Sequence, residues 1–409
     1  MPTDPTIIAR PSTVAGPGRG NVDRFKLEIE DKIWQYGPHM NPLVRIANKV
    51  KKRSVMQPEF KVLNDKRLPR FTRVNDNDGL NTSDTSLVVD NGNYARPQDI
   101  WQNTRTKENF LVTAVSSNTW TVVRGYDTGG AGTGVAMLDN DELMFIGNAL
   151  SERSNAPASI QTDPGTVTNY LQFMSRTIAL SEIRNLISEY GPKEKDRQNK
   201  NTLWEFKVDA EYAFKFQKPL KDVEASSPLD SALEDSRWKT GGLIYWIDEY
   251  ASTNALDANG VITQTELWDF LAPSFEDMPE DATGQGMELM ALCSQKAFNA
   301  FHHWGMDPIQ TDPKMKEFGL QLSTYMTPNG KLNLVQDYTL KGDTYGNYMI
   351  VVNPSDLEYV YLNGMDMKVK PNIQDNDAHE IKDEMYGMIG LGIKRPELHR
   401  YVYNMEAGA

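Results

Sequence analysis

Hydrophobic spacing marks one stretch above the rest, residues 191–218. Leu203, Phe206, Ala210, Ala213 and Phe214 recur at three-and-four spacing, and Trp204, Val208, Tyr212 and Phe216 make a second stripe at i, i+4. Such spacing predicts an amphipathic helix. Gly191-Pro192 opens it, since a proline in the first turn loses no hydrogen bond, and Pro219 stops it. At ~1.5 Å per residue the rod is roughly 40 Å long. Lys207, Glu211 and Lys215 fall on a third side, where surface pairs at i, i+4 add roughly 0.2–0.5 kcal/mol each. Residues 193–200 are almost entirely polar. The pattern describes a rod wet at one end and clamped on two sides at the other, which suits a strut between layers. An ordinary core helix of an α+β enzyme fits this segment alone equally well.

Upstream, the pattern changes character several times. Residues 1–20 are rich in Pro, Gly, Thr and Ser and read as a flexible arm. A short helix is expected at 22–33. Residues 41–55 read as amphipathic, with Leu43, Ile46, Ala47 and Val50 apolar and Lys49, Lys51, Lys52 and Arg53 basic. That cluster is either an electrostatic contact or a solvated helix face. Residues 60–74 are extended and basic, and 75–84 form a turn-rich hinge. From 85 to 147 the segments are short and β-branched. Strands are expected at 87–89, 99–102, 110–115, 119–123 and 142–146, with Ser116-Ser117-Asn118 as a hairpin turn. This reads as a small β-domain inserted into a longer extended hairpin. Residues 150–166 read as a polar loop and 169–178 as the extended return.

Downstream of the rod, 223–235 is a polar loop. Helices are expected at 243–250, 263–271 and 294–304, and a buried strand at 288–292. Residues 321–326, 332–336 and 348–352 read as three strands of an α/β sheet, and 354–362 as a short helix or turn. Strands at 367–370 and 385–393 follow. Tyr359, Tyr361, Tyr401 and Tyr403 stand at alternate positions, as in strand or interface packing. No internal repeat is evident.

The 409 residues suffice for two or three domains with a sizeable core. No apolar run approaches the ~18 residues of a membrane span, and the N-terminus lacks a signal-peptide pattern. Cys293 is the only cysteine, which excludes a disulfide framework and a cysteine-cluster metal site, and points to synthesis in a reducing cytoplasm. Net charge is −13 but unevenly spread. Residues 1–75 hold roughly 15 basic and 7 acidic side chains, so the remainder is strongly acidic. A basic arm on an acidic body could bind nucleic acid, or lie across the acidic body of a neighbouring copy. The second is favoured, because an acidic body repels phosphate.

Candidate chemistry is sparse. Asp257, Asn259, Gly260, Ile262 and Glu266 match much of a calcium-binding EF-hand loop, but Ala255 stands where the leading carboxylate belongs. Thr263-Gln264-Thr265-Glu266 also fits a capping box and Asn259-Gly260 a turn, and this is the stronger reading. The glycines of 128–134 are not followed by Gly-Lys-Ser/Thr, so a mobile hairpin tip is expected there instead of a phosphate loop. His302 and His303 are adjacent on a helix and diverge; His39, His379 and His399 are scattered. No nucleophile–base set emerges. A carboxylate dyad stays open. No catalytic, cofactor-binding or metal-binding residue is assigned, and no cofactor is expected.

The order of certain segments carries more. DIWQNTRTKENFLVTAVSSNTWTVVRGYDTGG is followed by DNDELMFIGNA and NYLQFMSRTIALSE. The long helix then ends EFKVDAEYAFKF, and KTGGLIYWI follows. Together these resemble the major capsid proteins of a group of tailed double-stranded DNA phages, the Hong Kong 97-type capsid family with an inserted β-domain. The resemblance runs through most of the chain and is weakest in the first fifty or so residues. It implies an α+β fold with an N-terminal arm, an extended loop, a peripheral domain with a long spine helix, and an axial α/β domain. The expected division is 1–57 arm; 58–84 and 151–190 extended loop; 85–150 inserted β-domain; 191–239 and 353–409 peripheral domain; 240–352 axial domain. It implies a non-enzymatic protein that self-assembles into the icosahedral head shell of the virion. Its expected partners are itself, in hexamers and pentamers, with portal, scaffold and decoration proteins. It would enclose packaged DNA without sequence-specific binding, touch no membrane, and assemble in the host cytoplasm. The alternative is another virion component, in a tail or as decoration.

Overall fold

The computed structural model describes residues 41–65, 68–128, 134–150, 162–187, 193–222, 237–276, 288–304 and 323–406, with 152, 156–157, 159, 309–310, 316–317 and 320–321 between them. The arm 1–20, the helix expected at 22–33, Gly191-Pro192, most of the glycine run and the loop 223–235 lie outside the described residues, as do the side chains of His302 and His303. The fold is α+β. The chain divides into two compact units, one of Lys61–Thr168 and one of the rest.

The larger unit starts with α1 (Pro42–Val50), whose Leu43, Val44, Ile46 and Ala47 are buried. The helix ends at Val50, and the chain runs straight into β1 (Lys52–Val55), so Lys51, Lys52 and Arg53 do not share a helix face with Lys49. The expected amphipathic segment is thus half helix and half strand. β2 (Glu59–Asn64) then leads into the smaller unit and later pairs with β9 (Gly165–Tyr170), part of which replaces the expected polar loop.

In the smaller unit, β3 (Phe71–Arg73), β4 (Ser86–Val88), β5 (Asp99–Asn103), β6 (Asn109–Ser116), β7 (Thr119–Val123) and β8 (Glu142–Asn148) form one antiparallel sheet in the order β3-β8-β5-β6-β7-β4. Its two edges meet. Val74 bridges Val89, Asn75 N–H donates to the Val88 carbonyl, and Asp90 N–H donates to the Arg73 carbonyl. The sheet is therefore a small closed barrel, and closure leaves no free edge to pair with other chains. Trp101 and Trp120 fill it, with ring centroids 4.8 Å apart, among Leu87, Phe110, Val112, Val122 and Leu143.

After β9 the chain continues through β10 (Gln172–Ser181), α2 (Glu182–Leu186) and the long α3 (Glu194–Phe216). A small hairpin of β11 (Leu220–Asp222) and β12 (Arg237–Lys239) precedes α4 (Leu243–Tyr250), β13 (Ala255–Gly260), α5 (Gln264–Glu276), β14 (Glu288–Cys293) and α6 (Gln295–His303). Short strands β15 (Ile309–Gln310), β16 (Lys316–Glu317) and β17 (Leu320–Gln321) follow, then β18 (Ser323–Thr327), β19 (Gly330–Gln336), the single turn α7 (Gly342–Tyr345) and β20 (Met349–Val352). The chain closes with β21 (Leu357–Leu362), β22 (Lys368–Lys370), β23 (Glu380–Ile393) and β24 (Arg400–Met405). Where a helix or turn was expected at 354–362, a single 3-10 turn gives way to β21, in keeping with its alternating tyrosines.

Two sheets organise this unit. The five-stranded sheet runs β1-β21-β23-β10, with β22 also on β23. α1 packs on β21 and α3 on β10, and the Phe214 ring meets Tyr359 edge-on. The seven-stranded sheet runs β13-β24-β20-β14-β19-β18-β15. Leu289, Ala291 and Cys293 of β14 share a core with Leu267, Leu271 and Phe275 of α5 and Ala297 and Phe301 of α6. Met290 and Leu292, on the opposite face, are buried too, so β14 reads as a continuous apolar run. β24 lies in this second sheet beside β20, although its sequence neighbours β21–β23 lie in the first. Among the described residues no helix is long and apolar enough to cross a membrane.

Candidate functional site

The residues singled out for calcium are spent on local structure. Glu266 accepts the Thr263 N–H at 2.9 Å, and Thr263 Oγ1 accepts the Glu266 N–H at 3.3 Å, which is the reciprocal capping box at the start of α5. Asp257 lies on β13 and accepts from Asn259 N–H and from Asn404 Nδ2. Asn259 and Gly260 both have positive φ, as a turn there requires. Among the described residues no group of three or more His, Cys, Asp or Glu could hold a metal ion.

The site that does stand out was read from the sequence as a surface. Glu211 and Lys215 of α3 are completely buried. Lys215 Nζ lies 2.6 Å from Glu211 Oε1, donates to Thr339 Oγ1 at 2.6 Å, and pairs with Asp337 Oδ2 beyond the end of β19. Asp337 Oδ1 in turn accepts from the N–H and hydroxyl of Thr339. Two carboxylates against one ammonium leave one excess negative charge. The N-terminus of α1 meets it. Leu43 N–H donates to Glu211 Oε1 at 2.9 Å and Val44 N–H to Oε2 at 2.8 Å. Asn41, in the N-cap position, makes no side-chain cap of its own. Glu211 therefore caps α1 from far along the chain, and the helix dipole supplies the missing positive charge. Burial pushes the Glu211 carboxyl up from its ordinary range, Lys215 opposing and Asp337 assisting. Burial alone would lower Lys215, but Asp337 and Glu211 outweigh it and hold the ammonium above its usual value. The helix stripes gave no sign of this, because the third side, which showed only charged residues at i, i+4 spacing, faces α1 and the turn after β19.

The segments that carried the resemblance converge on contacts of the same kind. Asn169, from NYLQFM, donates to the Gly241 and Leu391 carbonyls and accepts the Gly241 N–H. Gly242, from KTGG, lies so close to α3 that a Cβ there would sit 2.7 Å from the Lys215 carbonyl carbon, so only glycine fits. In the barrel, Arg124 of the RGY turn and Glu108 of the RTKENF strand form a buried bidentate pair, 2.8 Å on both arms. Burial works to raise Glu108, but Arg124 and the N–H groups of Val135 and Gly125 hold it below its usual range. Arg105 pairs with Asp141 of DELMFIGNA at 2.7 Å. Against the effect of burial, Arg105, Asn103 and the Leu138 N–H bring Asp141 down to about 2. The basic run 51–53 is likewise used internally: Lys51 and Arg53 reach the buried Glu358, as does Lys394 from the end of β23, and Lys52 pairs with Asp366.

The family model of the SU10 major capsid protein matches residues 16–406. The chain belongs to this family. Among solved structures it is similar to the capsid of a native GTA particle, at 9% identity over 95% of this chain and 97% of that one, with a TM-score of 0.46. It is also similar to a chain of Microbacterium phage Oxtober96, at 9% identity over 93% and 96%, TM-score 0.43. A third is the SrpI encapsulin of Synechococcus elongatus PCC 7942, at 12% identity over 61% and 79%, TM-score 0.43. No curated protein matches the chain.

A member of the SU10 major capsid protein family is a shell-forming structural protein of the virion, built from copies of itself, and not an enzyme. The tail or decoration alternative gives way to that assignment. The buried clusters fit a structural role, since each is enclosed and consumed by its own partners. Each locks segments distant in sequence together within its own compact unit.

Proposed function

We propose that the chain builds the icosahedral head of a tailed phage around packaged double-stranded DNA. The observation that supports this most is the family match along nearly the whole chain. In this reading α3 is the spine helix, the five-stranded sheet is the peripheral layer and the seven-stranded sheet the axial one. β24 then goes with 240–352 and not with the periphery. The arm ends before Asn41 instead of at 57, because α1 is capped by Glu211 and β1 pairs with β21. Residues 85–150 are a β-domain carried by an extended loop through β2 and β9. Portal, scaffold and decoration proteins are the remaining partners, and assembly takes place in the host cytoplasm. An acidic chain of net charge −13 would enclose DNA without adhering to it.

Electron microscopy and sedimentation velocity of the protein, alone and co-expressed with the neighbouring genes of its genome, test this. Closed particles, or rings of five and six copies, are expected. Open tubes or isolated trimers in every condition would sink it.

A further inference from the structure

The buried cluster at the end of α3 holds more than an ion pair needs. Lys215 Nζ lies 2.6 Å from Glu211 Oε1 and also touches Asp337 Oδ2, one bond from the Asp337 carboxyl carbon. The other carboxyl oxygen, Oδ1, accepts the Thr339 N–H at 2.9 Å and the Thr339 hydroxyl at 2.7 Å. Asp337 is itself pinned, its N–H donating to the Cys293 carbonyl of β14 at 2.8 Å. Lys215 and Glu211 are completely buried and Asp337 is 1% exposed. These are the parts of an acyl transfer: an amine, a carboxyl group, a base on the amine and two donors on the carboxyl oxygen.

We infer that Lys215 and Asp337 condense to an amide, a covalent brace within one chain that joins α3 to the turn after β19. The ion pair is the starting state. One proton passes from Nζ to Oδ2, leaving a neutral amine and a carboxylic acid, which burial favours over two ions. The Nζ lone pair then forms the C–N bond at Cγ, and the negative charge that develops on Oδ1 falls on the two Thr339 donors. Glu211 takes one proton from the nitrogen and passes it to Oδ2, the C–O bond breaks, and water leaves. Glu211 ends as the carboxylate it was, and nothing is oxidised or reduced. The site carries one excess negative charge before and after, and the Leu43 and Val44 N–H groups hold it on Glu211 in both states. Fixed contact replaces a chance encounter, and exclusion of water disfavours the reverse hydrolysis. The bond would close a loop between positions 122 residues apart, which takes freedom from the unfolded chain. The brace lies within a single copy and does not depend on the shell reading.

Mass spectrometry of the full chain, purified folded and then denatured, tests this. The chain is expected to be lighter than its sequence by one water. Trypsin should then release a branched peptide in which residues 208–221 and 332–341 are joined through Lys215 and Asp337, with Lys215 uncut. Lys215→Arg keeps the cation without the amine and should show the full mass. Glu211→Gln keeps the shape without the base, and after refolding it should form the bond about a hundredfold more slowly. An unchanged rate would overturn the role given to Glu211. A folded wild-type chain of full mass would overturn the whole inference. So would a water loss that maps to one linear peptide, as from a cyclic imide, or one that persists in Lys215→Arg. If either variant fails to fold, the wild-type mass and the branched peptide still decide. Each of these outcomes leaves the shell reading standing, which particle formation tests separately.

Discussion

Lys215 occupies a position where two carboxylates and a helix terminus meet out of contact with water, and its removal has consequences beyond one lost ion pair. Lys215→Met leaves Glu211 and Asp337 facing each other unscreened. Breaking a buried pair in this way costs about 3–5 kcal/mol. Chemical denaturation at neutral pH should read that loss. The penalty should shrink at acidic pH, where Glu211, its folded carboxyl already raised, takes up a proton and relieves the repulsion. A penalty that does not change with pH would contradict the cluster as described. His399 gives a slope of opposite origin. It is fully buried, its Nδ1 accepts the Asn353 N–H, and burial lowers it to about 4. The folded value lies below the unfolded one, so the stability it confers is present above about 6.5 and lost as pH falls toward 4. Between pH 6.5 and 5 the unfolding midpoint should therefore drop. Asp141, with its folded value near 2, loses its contribution only below the ordinary carboxylate range and does not share that window. His399→Gln should flatten the slope, and an unaltered slope would show that His399 is not its source.

At the scale of elements, much of the fold could be read because local rules and tertiary structure agreed. The hairpin at Ser116-Ser117-Asn118, the helices near 243–250 and 294–304 and the strands β14, β18, β19 and β20 are where apolar spacing and turn residues put them. α5 runs further than expected, through Pro273 to Glu276, because Leu271 and Phe275 continue its buried face. The capping box was legible for the same reason, being a rule about four consecutive residues. Thr263→Ala should cost about 1 kcal/mol with or without calcium, measured by thermal melts in both conditions. A large calcium-dependent rise in melting temperature would revive the metal reading. What stayed hidden was partnership at long range. Asn41–Val55 looked like a charged amphipathic helix because nothing local reveals that Glu358 and Glu211 will claim its charges and its N-terminus. Within the larger unit, α1 gives its N-terminal N–H groups to Glu211 and β1 pairs with β21. Deleting residues 1–40 should leave a folded chain, whereas deleting 1–57 removes α1, β1 and the cap on Glu211. The circular-dichroism melt should survive the first deletion and collapse after the second.

For the whole molecule, the resemblance motifs acquire a physical meaning that a string of letters cannot show. Arg105, Glu108, Arg124 and Asp141 lie in three separate segments, yet they pair across the barrel. Asn169, Glu211, Lys215 and Gly242 lie in three others and meet within the larger unit. Neither set is the site of an enzyme; each fixes how far-apart segments pack within its own unit. The two sets also fall in different compact units, Lys61–Thr168 and the remainder. A closed barrel has its own core, its own buried ion pair and no open edge, so it should unfold as a unit of its own. Arg124→Met tests this. It leaves Glu108 buried without its cation and the Asn81, Asp84 and Val135 carbonyls without their donor, for a cost of about 3–5 kcal/mol confined to the barrel. Hydrogen exchange followed by mass spectrometry should show protection falling at Trp101, Phe110 and Trp120 while β14, β19 and β20 keep theirs. Loss of protection spread evenly through both units would mean that the chain folds as one cooperative body, and the barrel would then have to be regarded as part of the larger unit.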